Sequence, residues 1–363
     1  MATAKMNQLG VHNATSFIES VRDSTQIKTH LFVGKSAAWE NESSPPSPDN
    51  SVAEYLKVQK DILGLEEVNQ NDCLMMVRHL NWTSNVVYDK YRHDYNLQNT
   101  SFSNASNIVD ANFYVLSSNN LVYVCLDNNN DGTSKVAPLD IGSDPFYTSD
   151  GYQWMRLYDI PNSSLKYMTD NLLPVIDSRT NVKTAGGIFT TLVDNPGNLY
   201  VSGDFYCKVD GDGTDAVAVV NCANGKVQGV RMIREGKDYT NATVRFNKDE
   251  VYRSLVDLDN DVNKIDPSGD GSAILTPVIS PLGGWGKDVP VQLGASRVGV
   301  FVIIGNKIQQ NITYRQVGLI QNPEFDSSNN YIPNTGRIIF LTNISPVTRI
   351  DNQTERINLS VSF

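Results

Sequence analysis

The chain has 363 residues, 40% of them apolar and 19% charged, which is enough for two or three globular domains with their own cores. Its 40 Asp and Glu against 30 Lys and Arg leave a formal net charge of −10, and no basic run offsets it. Such a surface repels nucleic-acid phosphates, so neither DNA nor RNA is an expected partner and the acid excess reads as solubility.

The first residues, Met1 to Gln8, carry no apolar h-region, so no secretory signal is expected. Helix starts are expected at Ser16-Phe17-Ile18-Glu19 and at Ser51-Val52-Ala53-Glu54, because Ser-x-x-Glu satisfies two orphan N–H groups at a helix N-terminus. Between them runs "THLFVGKSAAWENESSPPSPDN", residues 29 to 50. Gly34-Lys35-Ser36 has the ending of a phosphate-binding loop, but the glycine required five positions earlier is Thr29. Pro45-Pro46-Ser47-Pro48 also leaves no room for the helix that should follow. The segment therefore reads as a strand ending at Gly34 and a proline-stiffened loop. In the second helix Val52, Tyr55, Leu56, Gln59 and Ile62 or Leu63 recur at helical spacing, and Gly64 reads as the glycine just past its end.

Tyr88, Tyr91 and Tyr95 stand in a polar context, "VVYDKYRHDYN", and read as an exposed interface candidate. Residues Asn112 to Leu126 predict a hairpin, "FYVL" and "LVYVCL" joined by Ser117-Ser118-Asn119-Asn120. Asp127-Asn128-Asn129-Asn130-Asp131-Gly132 opens like a calcium-binding EF-hand loop, but its twelfth position is Pro138, so a tight turn is expected. "YQWMRLYDI" predicts a strand covered on both faces, with Tyr152, Trp154, Tyr158 and Ile160 on one and Met155 and Leu157 on the other. Residues 201 to 246 read as a β-meander, with Asn224-Gly225 as a type I′ turn.

A third helix is expected over Asn247 to Leu258, with Val251, Tyr252, Leu255 and Val256 on one face. Asp257, Asp259 and Asp261 alternate like metal ligands, but Val262 replaces the loop glycine and Ser268 the last ligand. The polar stretch "DLDNDVNKIDPSGDGS" is a candidate boundary. Gly283-Gly284-Trp285-Gly286 lacks the strand-to-helix geometry of a phosphate site and reads as a close backbone approach or a bend round Trp285. The longest apolar run, Val300 to Ile304 with Val298 before it, is far short of the ~20 residues that span a bilayer, so no membrane insertion is expected. At the end, Ile357, Leu359, Val361 and Phe363 alternate with polar residues, as in a strand docked in a sheet.

Catalytic chemistry finds little to work with. His12, His30, His79 and His93 show no metal-ligand spacing, and no nucleophile elbow is present. Cys73, Cys125, Cys207 and Cys222 read as free thiols of a reducing compartment, with a Cys207–Cys222 cross-strand pair as the alternative. No catalytic, cofactor-binding or metal residues, no cofactor and no enzymatic activity are expected. The fold class expected is mainly β (α+β): antiparallel, sandwich-like sheets with a few peripheral helices. A discontinuous first domain, 1–86 plus 272–363, is expected to hold an inserted β-rich domain, 87–271, with the meander at about 201–246.

Several stretches together resemble the gene-eight-product family, the baseplate wedge proteins of contractile-tail (T-even-like) bacteriophages. They are "FVGKSAAW" with Pro45-Pro46, "HLNWTSNVVYDKY", "SDGYQWMRLYDIP", "GGWGKDVPVQLGA", "TYRQVGLIQNP" and "DNQTERINLSVSF". Each is weakly specific, but they keep the family's order from about Leu31 to Phe363. Trp285 departs from the family's pattern, which has histidine there. The resemblance implies a homodimeric structural part of the virion's tail baseplate, assembled in the host cytoplasm, with other wedge proteins as partners. Two other readings are a glycan-binding tail or fibre adhesin using exposed aromatics, and a tail-associated carbohydrate hydrolase.

Overall fold

The computed structural model describes residues 7–23, 25–142, 144–176, 186–281, 296–305, 308, 311–350 and 354–363. The protein is mainly β, 42% strand and 12% helical, built of antiparallel sheets, one of them curled into a half-barrel. In chain order the first segment supplies α1 (Asn7–Arg22), β1 (Thr29–Gly34), α2 (Val52–Lys60), β2 (Ile62–Glu67) and β3 (Cys73–Arg78). The middle opens with β4 (Leu80–Asn81), β5 (Tyr114–Leu116), β6 (Leu121–Asp127), β7 (Phe146–Tyr147), β8 (Gln153–Asp159), β9 (Leu172–Pro174) and β10 (Ile188–Asn195). It continues with β11 (Gly203–Gly211), β12 (Val217–Ala223), β13 (Lys226–Arg234), β14 (Ala242–Val244), β15 (Val251–Tyr252), α3 (Leu255–Asn260), β16 (Lys264–Ile265) and β17 (Ile274–Ile279). The last segment holds β18 (Arg297–Ile304), β19 (Ile312–Gln321), β20 (Arg337–Arg349) and β21 (Glu355–Ser362).

Two compact units divide the chain: Met1–Met76 with Ala295–Phe363, and Val77–Gly294. The breaks fall after residues 76 and 294, against 86 and 271 in the sequence reading.

In the first unit one sheet has the order β2-β1-β19-β20, and in a second β18 lies between β21 and β3. All six residues of β1 are buried, because both of its faces are covered. Leu31 and Val33 join a core with Val298, Val300, Val302, Leu359 and Val361, closed by Ala14, Phe17, Ile18 and Val21 of α1. Phe32 points the other way, to Val58 of α2, Ile320 and Leu341. The terminal alternation is realised: Ile357, Leu359 and Val361 are buried, while Asn358, Ser360 and Ser362 are exposed. β21 pairs with β18 along all its residues, from Ile304↔Glu355 to Arg297↔Ser362.

Two helix readings need correction. Ser16 is an exposed residue inside α1, which starts at Asn7; the buried Val11, Ala14, Phe17, Ile18 and Val21 already carry the helical period. Ser51 does cap α2, accepting the Glu54 N–H at 3.2 Å, but Asp61 ends the helix. Gly64 lies in β2 opposite Val33, with Ile308 where a Cβ would stand. The buried side of α2 is Val58 and Gln59, and Val52 and Leu56 face outward.

The second unit contains the hairpin β5–β6, with Asn119 and Asn120 in left-handed conformation at its turn, and β6 pairs on with β8. Both faces of β8 are buried, but the ladder slips at Leu157. Trp154 lies opposite Cys125 and Tyr158 opposite Val122, so Tyr158 leaves the Trp154 face for that of Met155. The meander is the sheet β13-β12-β11-β15-β16, which runs on to Ile265, beyond Phe246. Ala223 pairs with Lys226 across Asn224 (φ 53°) and Gly225 (φ 78°), the two left-handed residues of a type I′ turn. The third helix is short: Val251 and Tyr252 are strand residues paired to β11, and Ser254 then caps Leu255–Asn260. β-branched and aromatic residues that find a cross-strand partner outweigh a helical spacing this brief.

Candidate functional site

Gly34 ends β1 and no helix follows it through residue 51. Lys35 takes a left-handed conformation (φ 58°), and its N–H donates to the Asp61 carbonyl at 3.0 Å. Its side chain is buried and its ammonium sits 4.3 Å over the Trp39 ring, so this lysine is committed to packing. The loop that follows is strapped to β19 and β20. The Trp39 indole N–H donates to the Ile344 carbonyl at 3.1 Å, and the Asn343 amide to the Pro46 carbonyl at 2.9 Å. Arg315 grips Glu42 through Nε and Nη2, at 2.9 and 2.8 Å, and gives Nη1 to the Ser36 carbonyl. That pairing holds the Glu42 carboxyl below its usual range. Trp39, Glu42 and Arg315 were not separable by sequence reasoning, since their partners lie 305 and 273 residues away.

The calcium-like loop is a side-chain-built turn. Asn129, Asn130 and Asp131 are all left-handed. Buried Asn128 donates to the Tyr88 carbonyl (2.9 Å) and to Asp131 Oδ1 (2.8 Å), while Asp127 Oδ1 accepts the Asn129 N–H (3.1 Å). Burial pushes the Asp127 carboxyl upward, which opposes the charge a cation needs. The alternating acids round α3 are also occupied. Asp257 accepts from Ser254 and Asn263, Asp259 pairs with Arg234, and Asp261 takes Tyr252 and Lys208. Among the described residues no group of three or more His, Cys, Asp or Glu is placed to hold a metal ion.

The tyrosine reading is overturned. Tyr88 and Tyr91 are buried and Tyr95 half-buried. Tyr88 meets Trp154 edge-on at 5.7 Å, and its N–H donates to the Tyr152 hydroxyl, which donates in turn to the Gly132 carbonyl. Tyr91 donates to the Ile279 carbonyl at 3.0 Å and Tyr95 to the Lys90 carbonyl at 2.6 Å. The irregular segment round them thus forms a core of its own, and desolvation raises the pKa of each hydroxyl.

All four cysteines are free and buried. Burial pushes Cys73 up to about 12 and Cys222 up to about 11, so they are protonated and unreactive at neutral pH. Cys207 lies opposite Ala218 and Cys222 opposite Gly203, four register positions apart, which excludes the alternative disulfide. His79 is buried; His93 is exposed at the surface, its pKa lowered by desolvation of the ring, and its Nδ1 accepts the Ile279 N–H at 3.3 Å. The Gly283-Gly284-Trp285-Gly286 motif lies outside the described residues.

Apolar side chains also stand at the surface. In the first unit Val52 is 76% exposed and Leu56 44%, beside a groove lined by Pro48, Tyr55, Val58 and Ile338 to Leu341. In the second, Leu97, Ile141 and Leu199 are exposed, Leu199 on a left-handed backbone (φ 65°) unusual for a branched residue. Comparison with protein-family models and with curated proteins finds no match to the chain.

Proposed function

We propose that the protein is a structural part of a phage tail baseplate wedge, a homodimer that docks other wedge proteins and has no enzymatic activity. The observation that carries this reading is the ordered run of family-like stretches from Leu31 to Phe363. The gripped loops support it. Glu42, Asp89, Asp150 and Asp212 each tie a loop to neighbouring chain, as Asp89 does by accepting the Ser103 and Asn112 N–H groups at 2.8 and 2.7 Å. A part that must present large fixed surfaces to several partners needs loops of this kind. The adhesin alternative loses Tyr88 and Tyr91, which are buried. Co-expression with the products of neighbouring tail genes, followed by affinity purification and gel filtration, tests the reading. A stable co-eluting complex is expected, and separate elution from every one of them refutes it.

A further inference from the structure

Among the described residues β17 pairs with β10 alone, in a two-stranded sheet. At its last residue, buried Ile279, the side away from β10 is closed by two side chains instead of a strand. The Tyr91 hydroxyl donates to the Ile279 carbonyl at 3.0 Å, and the Ile279 N–H donates to His93 Nδ1 at 3.3 Å. On the β10 side the chain bonds through the next residue, Ser280, whose N–H donates to the Gly187 carbonyl at 2.8 Å. Both backbone groups of Ile279 thus depend on side chains for the partners that buried polar groups need.

The two anchors differ in chemistry. Burial raises the pKa of the Tyr91 phenol, which keeps its proton throughout the neutral and acidic range. His93 accepts through Nδ1, so the bonded ring is neutral and carries its proton on Nε2. An imidazolium donates from both nitrogens and would set an N–H against the Ile279 N–H. His93 is an exposed residue, so water can deliver the second proton. Desolvation lowers the pKa of the ring most; Asp94 opposes that shift and Arg92 reinforces it. Arg92 holds Asp94 through Nε and Nη2, both at 2.9 Å, and Asp194 of β10 through Nη1 at 3.1 Å. Asp194 also accepts from the Thr276 hydroxyl of β17 at 2.6 Å, a tie that does not involve His93.

We propose that His93 is an acid-released latch: neutral, it clips the segment round Tyr91 to the open side of β17, and protonated, it lets the Ile279 N–H go. The sign follows from the direction of the shift. The latch is closed at and above the ordinary histidine value of 6.5 and opens as pH falls through the lower value of the folded ring. Hydrogen exchange of the full-length chain, read by mass spectrometry on peptides covering β17 and corrected for the intrinsic pH dependence of exchange, tests it. Protection at the C-terminal end of β17 should fall about tenfold between about pH 8 and about pH 5, while the β11–β12 hairpin stays protected. His93→Asn, whose Oδ1 accepts at any pH, should hold protection level over that range. His93→Phe, with no acceptor, should lose it at every pH, with near-UV circular dichroism as the folding control. Wild-type protection that does not change with pH overturns the latch, and so does a His93→Asn variant that follows the wild-type curve. A loss shared by the β11–β12 peptides is global unfolding and overturns it too. If His93→Phe fails the folding control, the His93→Asn comparison alone decides.

Discussion

Deleting Asn358–Phe363 removes Leu359 and Val361 from the core of the first unit, and with them Phe363, whose ring lies 5.4 Å from that of Phe17. Burying a side chain of this size is worth about 1.5–3 kcal/mol, so the two fully buried residues and the half-buried Phe363 together contribute about 4–8 kcal/mol. The deletion also strips β18 of its partner from Arg297 to Phe301, leaving a central strand with one open side. Domains are stable by only ~5–15 kcal/mol, so the truncated chain should lose the cooperative unfolding of this unit. Thermal melting followed by near-UV circular dichroism, with limited proteolysis of the same samples, reads the effect. Leu359→Ala gives a graded version, with a loss of about 2–5 kcal/mol in urea titration, and Ser360→Ala on the exposed side should stay within ~0.5 kcal/mol. A truncated protein that melts cooperatively within a few degrees of the full-length chain would refute the account of β21 as a core strand. The matching deletion of Met1–Met6 falls outside the described residues.

Gly318→Ala should destabilise the first unit by several kcal/mol, about 1–3 or more, since its Cβ would stand 2.4 Å from both the Phe32 ring and the Phe340 carbonyl; an unchanged urea midpoint counts against that packing. His79 is buried, and its pKa is lowered by desolvation, opposed by the Asn81 side chain and the Asp170 charge. Above its unfolded value of 6.5 both states are neutral and nothing is lost; below it the unfolded chain takes a proton that the folded site resists. Stability should therefore fall as pH drops from 6.5 toward the folded pKa, by up to ~1.4 kcal/mol per pH unit, and His79→Phe should flatten that slope in urea titrations. Calorimetric titration should find no micromolar binding of calcium or ATP, because the Asn128 turn and Lys35 are already occupied; a saturable heat would overturn both assignments.

Sequence pattern and structure agree where the partner strand is local, as in the β5–β6 hairpin and the Asn224-Gly225 turn, or where one face is buried, as in the terminal alternation. The errors have a common cause in contacts remote along the chain. Val251 and Tyr252 carry helical spacing until β11 supplies a strand partner, and Gly64 looks like a helix stop until β1 pairs with it. Tyr88 and Tyr91 sit among charged neighbours, and only the fold of the 86–113 segment over Phe113, Tyr152 and Trp154 takes them out of water. The one-residue slip at Leu157 has no signature in composition, yet it moves Tyr158 to the opposite face. The strap's anchors, Trp39, Glu42 and Arg315, were hidden for the same reason.

β1 pairs early with β2 but finds its second partner, β19, very late in synthesis. Lys28 and Asn322, which clamp one end of the β1–β19 ladder, are separated by 294 residues. At ~5–20 residues per second, the ribosome needs roughly 15–60 s to deliver the second after the first. During that interval Leu31 and Val33, and the apolar stripe of α1, have been made without β18, β19 and β21, whose residues complete their core. The β11–β12–β13 meander, contiguous in sequence, is free of that wait. The first unit therefore matures only once β18 to β21 have emerged, and a nascent chain stalled before β19 presents a sticky N-terminal segment to chaperones and to its neighbours on the polysome.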